Sequence, residues 1–409
     1  MADNALMLAT LVALLVGLAV GKAWERYKLQ DGHWVDRRRL RASPHYLQGL
    51  NFLVANPLDP AIEEFSRAAA LNDRSIDVQI VLGNLYREKG QVSRAIQVHQ
   101  PLLQRPRLQR HEHVSVLLCL GLDFKQAGFI DRAIDAFSEV LRLDADNTHA
   151  LTNLEKLHED QQQWLDAYRV RETLAGLAPP EQKARHRAVL AFLENELGRV
   201  ALAQGNRAEA RRHFEAAVDL DASVVPAYLS LGDLRAEDGD LATAIATWER
   251  VVAVSPERAY LAFDRLSRAY TSGGAPDRFA ALCRRLIGSA PHDWRARLAL
   301  ARHLDAQGQA RGGLDLVLEA IAANPHALTL HAEAWRLLTH LGYEPALVGR
   351  YIDVSREAVF YHDPHLCLRC HYRSTELLWH CPHCHEWNSF VEERLTPAHE
   401  VPELRAAED

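Results

Sequence analysis

Residues 197–256 read LGRVALAQGNRAEARRHFEAAVDLDASVVPAYLSLGDLRAEDGDLATAIATWERVVAVSP, and they hold one pattern written twice. Leu197-Gly198 is followed by Ala210, Phe214 and Ala217; Leu231-Gly232 is followed by Ala244 and Trp248, and the second copy ends at Pro256. Gly198 and Gly232 lie 34 positions apart. Small residues at fixed offsets let two helices approach closely, aromatic residues fill what is left between them, and a period of this length marks stacked helical repeats. The pattern extends in both directions. Leu82-Gly83 with Tyr86 precedes Ala95, and Leu120-Gly121 with Phe124 precedes Ala133 and Phe137. Weaker copies are Gly49 with Ala61 and Phe65, Leu154 with Ala167, Ser267 with Tyr270 and Pro291, and Ala301 with Leu304, Ala320 and Pro325. Asn72-Asp73, Pro256-Glu257, Pro291-His292 and Asn324-Pro325 punctuate the joins, as helix stops should.

These landmarks resemble the tetratricopeptide repeat, a pair of helices per unit. The resemblance implies that residues 45–354 form about eight to nine helical hairpins. One unit cannot bury its own apolar face, so stacking supplies the core and leaves a concave groove suited to protein segments. The first helices are expected to turn Asp77, Ile80, Asn84 and Arg87, then Leu118, Leu122 and Lys125, then Thr152, Lys156 and Glu159 towards that groove. A solvated helix face is the plainer reading of any one of them. Pro179-Pro180 marks a break between an N-terminal and a C-terminal block.

Near the far end stand Cys367-Leu368-Arg369-Cys370 and, ten residues on, Cys381-Pro382-His383-Cys384. Each CxxC turn sets two thiolates on one side of a tight knuckle, and two facing knuckles offer the tetrahedral sulfur shell that zinc or iron favours. Cys367, Cys370, Cys381 and Cys384 are therefore the expected ligands of one metal ion, with iron and zinc both open. The flanking histidines His362, His365, His371, His380, His383 and His385 read as supporting or exposed groups, because four thiolates already complete a structural shell. Cys119 and Cys283 fall in apolar helical patterns and read as core, so the thiol usage suits a reducing compartment. The knuckles resemble those of a rubredoxin-type ribbon over residues 360–394, with Tyr372, Trp379, Trp387 and Phe390 as a small aromatic core. Such knuckles usually carry glycine after the second cysteine; here His371 and His385 stand there.

At the other end, Ala5 to Gly21 carries no charge and would span roughly 25 Å as a helix. Asp3 precedes it without any Lys or Arg, while Lys22, Arg26, Lys28, Arg37, Arg38, Arg39 and Arg41 follow. A signal peptide has its basic residues in front, so an uncleaved anchor over residues 1–22 is the better reading, with a basic juxtamembrane linker at 23–44. The positive-inside rule then keeps the bulk of the chain in the cytoplasm. Residues 395–409 read as a flexible tail.

The net charge is −7 with 25% charged residues, and no basic patch is sustained beyond Arg41, which argues against a nucleic-acid partner. Glycine-rich nucleotide loops, HExxH and GxSxG are absent, so an enzymatic reading has no residues to rest on.

The fold class expected is therefore all-α: a tetratricopeptide-repeat superhelix with one N-terminal transmembrane helix and a small C-terminal rubredoxin-like metal ribbon. In that order, the anchor from Ala5 to Gly21, the repeat landmarks and the four cysteines resemble the lipopolysaccharide assembly protein B family. The resemblance implies a single-pass inner-membrane regulator of lipopolysaccharide synthesis. Members of that family act as adaptors between the membrane protease FtsH and the lipid A pathway deacetylase LpxC, whose degradation they promote, and other lipopolysaccharide biosynthesis or transport proteins are further expected partners. A scaffold gathering biosynthetic enzymes and a rubredoxin-type electron carrier are the competing readings.

Overall fold

The sequence places a glycine in the first helix of a pair and a ring sixteen residues later: Gly49 and Phe65, Gly83 and His99, Gly121 and Phe137, Gly198 and Phe214, Gly232 and Trp248. In the computed structural model of the chain each ring lies in the notch that its glycine leaves. A Cβ added at Gly121 would sit 2.6 Å from the Phe137 ring, at Gly198 2.6 Å from Phe214, and at Gly49 2.8 Å from Phe65. No side chain fits there, so the glycines set the distance between paired helices. Ala61, Ala95, Ala133, Ala210 and Ala244, each twelve residues after its glycine, are fully buried at the same contacts.

The structure describes residues 44–55, 58–71, 75–356 and 364–393. Eighteen helices follow one another among these residues. They are α1 (Pro44–Ala55), α2 (Leu58–Leu71), α3 (Ile76–Glu88), α4 (Val92–His99), α5 (Arg110–Gln126), α6 (Ile130–Leu143), α7 (Thr148–Asp160), α8 (Trp164–Leu177) and α9 (Lys183–Ala203). Then come α10 (Arg207–Leu220), α11 (Val225–Glu237), α12 (Leu241–Val254), α13 (Tyr260–Ser272), α14 (Pro276–Ser289), α15 (Trp294–Ala306), α16 (Ala310–Ala323), α17 (Leu328–His340) and α18 (Pro345–Arg356). α1 packs on α2, α3 on α4, α5 on α6, α9 on α10, α11 on α12, α13 on α14, α15 on α16 and α17 on α18, which makes eight pairs. Short 3-10 turns at Gln100–Gln104, Pro180–Gln182 and Pro256–Arg258 interrupt the joins. The anchor expected at 1–22, the linker, the Asn72-Asp73 join and the tail at 395–409 lie outside the described residues. Among the described residues no helix is long and apolar enough to cross a membrane.

Local chemistry fixes where the helices begin and turn. Asn206 and Asp240, again 34 apart, cap α10 and α12 by accepting the backbone N–H of Glu209 at 3.3 Å and of Thr243 at 3.1 Å. Gly239 turns the chain between α11 and α12 at φ +85°, a left-handed conformation that costs glycine nothing. Between α7 and α8 the same place is held by Gln162 at φ +56°. The backbone closes there in the same way, Gln163 N–H reaching the His158 carbonyl at 2.8 Å where Asp240 N–H reaches Arg235 at 3.0 Å.

The chain forms two compact units that divide between Leu157 and His158. The division falls before Pro179-Pro180, the break read from sequence; those prolines instead lead through a 3-10 turn into α9, the 21-residue helix. In the first unit Tyr46, Phe65, Val78, Leu82 and Leu85 form a core around α1 to α3. His99 takes the ring position of the second pair and is fully buried. Its Nε2 meets the Ile80 carbonyl at 3.2 Å, just as the Trp248 indole N–H donates to the Leu229 carbonyl at 3.3 Å in the second unit. Its Nδ1 lies 2.6 Å from Asp123, which also accepts from Arg87 at 2.9 Å. Arg87 is thus tied to a buried carboxylate, and Ile80, expected on the groove face, is core. Cys119 and Cys283 are buried, as their apolar surroundings implied. In the second unit the cores run from Ala167 and Phe192 through Trp248 and Phe279 to Leu337. The ribbon closes that unit as a three-stranded antiparallel sheet in the order β2–β1–β3, with β1 at His365–Cys367, β2 at Arg373–Ser374 and β3 at Phe390–Glu392.

Gly121→Ala should destabilise the first unit by about 1–3 kcal/mol, the usual cost of overpacking. The unfolding midpoint of that unit in denaturant measures it, and Phe137→Leu in the same chain should recover part of the loss, because the two changes act on one contact.

Candidate metal centre

The two cysteine knuckles have one backbone geometry. His371 N–H donates to the Cys367 carbonyl and His385 N–H to the Cys381 carbonyl, both at 2.9 Å. Cys367 N–H reaches Tyr372 O at 2.9 Å, and Cys381 N–H reaches Glu386 O at 3.0 Å. His371 and His385 both sit at φ +60°, the left-handed conformation for which the glycine of such knuckles is suited. The turn forms with histidine in place, at a cost of order 1 kcal/mol for each side chain.

The turns bring all four sequence-predicted sulfurs together. Cys367 Sγ lies 3.7 Å from Cys384 Sγ, Cys370 Sγ lies 3.6 Å from Cys381 Sγ, and all four fall within 4.8 Å of one another. A disulfide needs about 2.05 Å. A tetrahedron of sulfurs about 2.3 Å from a central ion has edges of about 3.8 Å. The donor set fits one tetrathiolate-bound ion, and the thiols are free rather than bridged. Such an ion would supply a cross-link for a module too small to rely on its apolar core, which is Phe390 with Leu377, Leu378 and the cysteines themselves. Burial raises the Cys367 thiol, but donors outweigh it and bring the group down to about 6: the Ser389 hydroxyl at 3.2 Å, the backbone N–H groups of Cys370 and Arg369, and the Cys370 thiol. Burial and the neighbouring thiols hold Cys384 up. Ser389 carries no signal in the sequence; the fold alone sets it beside the sulfur.

Trp379 and Trp387 depart from expectation. They do not fill the ribbon but face the repeats. Phe192 of α9 stacks on both, at 6.1 Å and 5.5 Å between ring centres, and Trp164 of α8 meets Trp387 edge-on at 6.2 Å. Tyr372 is 40% exposed, so only Phe390 of the four rings is ribbon core. Polar contacts surround the aromatic seat. Arg258 lies 4.9 Å over the Trp379 ring and donates to the Phe390 carbonyl at 3.1 Å and to Asn388. Arg185 grips both oxygens of Glu386 at 2.8 and 2.9 Å, and Arg295 pairs with Glu392.

At the centre of this seat is Glu159, from the last turn of α7. Its side chain is 2% exposed, covered by the ribbon rather than open to a partner or to solvent as the sequence suggested. Oε1 accepts the Trp387 indole N–H at 2.8 Å, while Oε2 faces His380 Nε2 at 3.2 Å and His385 Nδ1 at 3.6 Å. Burial raises the carboxyl, but His380, His385 and Trp387 together outweigh it and hold it at about 2. A buried carboxylate is tolerable only with donors of this kind.

Both parts of the chain match known families. The model of a rubredoxin metal binding domain matches residues 365–392, and tetratricopeptide repeat models match 195–259 and 229–293. Lipopolysaccharide assembly protein B of Escherichia coli strain K12 is 25% identical over 391 residues, covering 93% of this chain and 97% of that protein. The chain resembles that family along nearly its whole length. Lipopolysaccharide assembly protein B of Haemophilus influenzae strain Rd is also 25% identical, over 396 residues with the same coverage. These relatives and this repeat fold indicate a non-enzymatic protein.

Glu159→Ala removes the buried carboxylate beneath the ribbon and leaves the Trp387 N–H and His380 without their acceptor. It should weaken the seat by about 1–3 kcal/mol, read as a several-fold to hundredfold faster protease cleavage within residues 364–393 of the full chain. Removing metal with a chelator under reducing conditions should expose the same segment, and Cys381→Ser should do so without chelator.

Proposed function

We propose that this protein is an inner-membrane adaptor that limits lipopolysaccharide synthesis by bringing the deacetylase LpxC to the protease FtsH. The observation that carries the reading is the similarity to lipopolysaccharide assembly protein B along 93% of the chain. The architecture supports it. Stacked helical pairs offer extended binding surface, and among the described residues no constellation for covalent chemistry accompanies them. An anchor over residues 1–22 would hold the repeats beside a membrane protease and raise the local concentration of whatever they bind, an effect that needs no reaction of their own.

In this reading the four thiolates and their ion keep the ribbon shaped, and the ribbon occupies repeat surface from Glu159 at the end of α7 to the start of α15. Its rim charges, among them Arg369 beside Glu386, would face partners. A scaffold that gathers lipopolysaccharide enzymes without delivering them to proteolysis uses the same surfaces and is the second reading.

The deciding measurement is the lifetime of LpxC in the native host after protein synthesis is blocked, with this protein present and depleted. Depletion should lengthen that lifetime several-fold, and Glu159→Ala should lengthen it in part. An unchanged lifetime with retained co-purification of the enzymes would replace the adaptor by the scaffold.

A further inference from the structure

Glu159, His380 and His385 place one carboxylate oxygen and two imidazole nitrogens within 4.8 Å of one another, at the seam between α7 and the second knuckle. We propose that this cluster is a second metal site, distinct from the four sulfurs, which takes a divalent cation of the zinc class and clamps the ribbon to the repeats.

The distances favour a shared cation over hydrogen bonding alone. A tetrahedral ion about 2.0–2.1 Å from nitrogen and oxygen ligands separates them by about 3.3–3.4 Å. Oε2 of Glu159 lies 3.2 Å from His380 Nε2 and 3.6 Å from His385 Nδ1. The second separation is too long for a hydrogen bond, and His385 Nδ1 is indeed buried without a hydrogen-bond partner. An unsatisfied imidazole nitrogen, 11% exposed in its side chain and aimed at a carboxylate, is a donor lacking an acceptor or a ligand lacking an ion.

The surroundings are those of a ligand set held in place. The Trp387 N–H takes the other oxygen of Glu159, which fixes the carboxylate so that one oxygen is left for both rings. Trp387 also lies 4.5 Å from the His380 ring, between ring centres, and orients it. Asp160 Oδ1 stands 3.6 Å from His385 Nδ1 on an exposed side chain, so it or a water can complete four ligands. Two imidazoles with a carboxylate suit zinc and its transition-metal neighbours and do not suit magnesium or calcium, which prefer all-oxygen shells. His380 and His385 flank Cys381 and Cys384 in sequence, so one knuckle would carry sulfur ligands on its inside and nitrogen ligands on its outside.

The test is zinc stoichiometry of the untagged full chain in detergent, equilibrated with zinc buffered at nanomolar free concentration, where isolated surface histidines stay empty. The wild type should hold one zinc more per chain than His385→Gln or Glu159→Gln. Cobalt in place of zinc should give the same thiolate charge-transfer band in all three, which shows the four-sulfur site and its ribbon intact. Glu159→Gln lies outside the ribbon and keeps an oxygen for Trp387, so it guards against a folding defect in the histidine variant. Equal zinc content in wild type and Glu159→Gln, with the cobalt band unchanged, would overturn the site.

Discussion

A ring lying in the notch of a missing Cβ is the contact on which this protein depends. Each glycine in a first helix is paired with a buried ring in the second, and the approach it permits is too close for any other residue. The same contact recurs in both compact units, so helical pairs are set by short-range chemistry. Once the pair distance is fixed, the alanines twelve residues on and the rings between stacked pairs follow by packing. The second pair shows how far the rule bends: His99 fills the ring position, and its polar edge is satisfied by the same helix carbonyl that Trp248 uses in its own pair. That substitution brings Asp123 and Arg87 into the interior with it, since a buried imidazole needs partners for both nitrogens.

The ribbon rests on a different balance. Three strands of two or three residues cannot bury enough apolar surface to hold themselves, so the module leans on the repeats without and has, in its four sulfurs, a place where one ion would cross-link it within. Its two indoles are given to Phe192 and Trp164 rather than to its own core, and the carboxylate of Glu159 is buried where Trp387, His380 and His385 of the ribbon converge. Breaking one side of such an arrangement leaves an unpaired buried charge, which is more costly than the contact is worth when whole. The seat is therefore specific as well as adhesive.

Much of this was legible in the chain. The period of 34, the small-residue offsets and the CxxC spacing each encode a local geometry, and local geometry is what a sequence writes directly. The weak copy at Gly49 with Ala61 and Phe65 forms a full hairpin for the same reason as the strong ones. Glu159, Ser389, Trp379 and Trp387 were read wrongly or not at all, because what they do depends on surfaces that meet only after folding. Nothing in a run of helix-favouring residues distinguishes a carboxylate bound for solvent from one bound for burial beneath a ribbon. The charge of Glu159 suggested a wet face; the donors that reverse that conclusion lie more than 200 positions away.

That separation has a consequence for biosynthesis. Glu159 and Trp387 stand 228 residues apart, so Phe192, Glu159 and Arg258 emerge from the ribosome and fold among their helical neighbours long before the ribbon exists. The nascent protein passes through a stage with a finished receptor and no occupant, displaying an aromatic surface and a carboxylate whose partners have not been made. Chains cut short before Cys367 would keep that stage permanently.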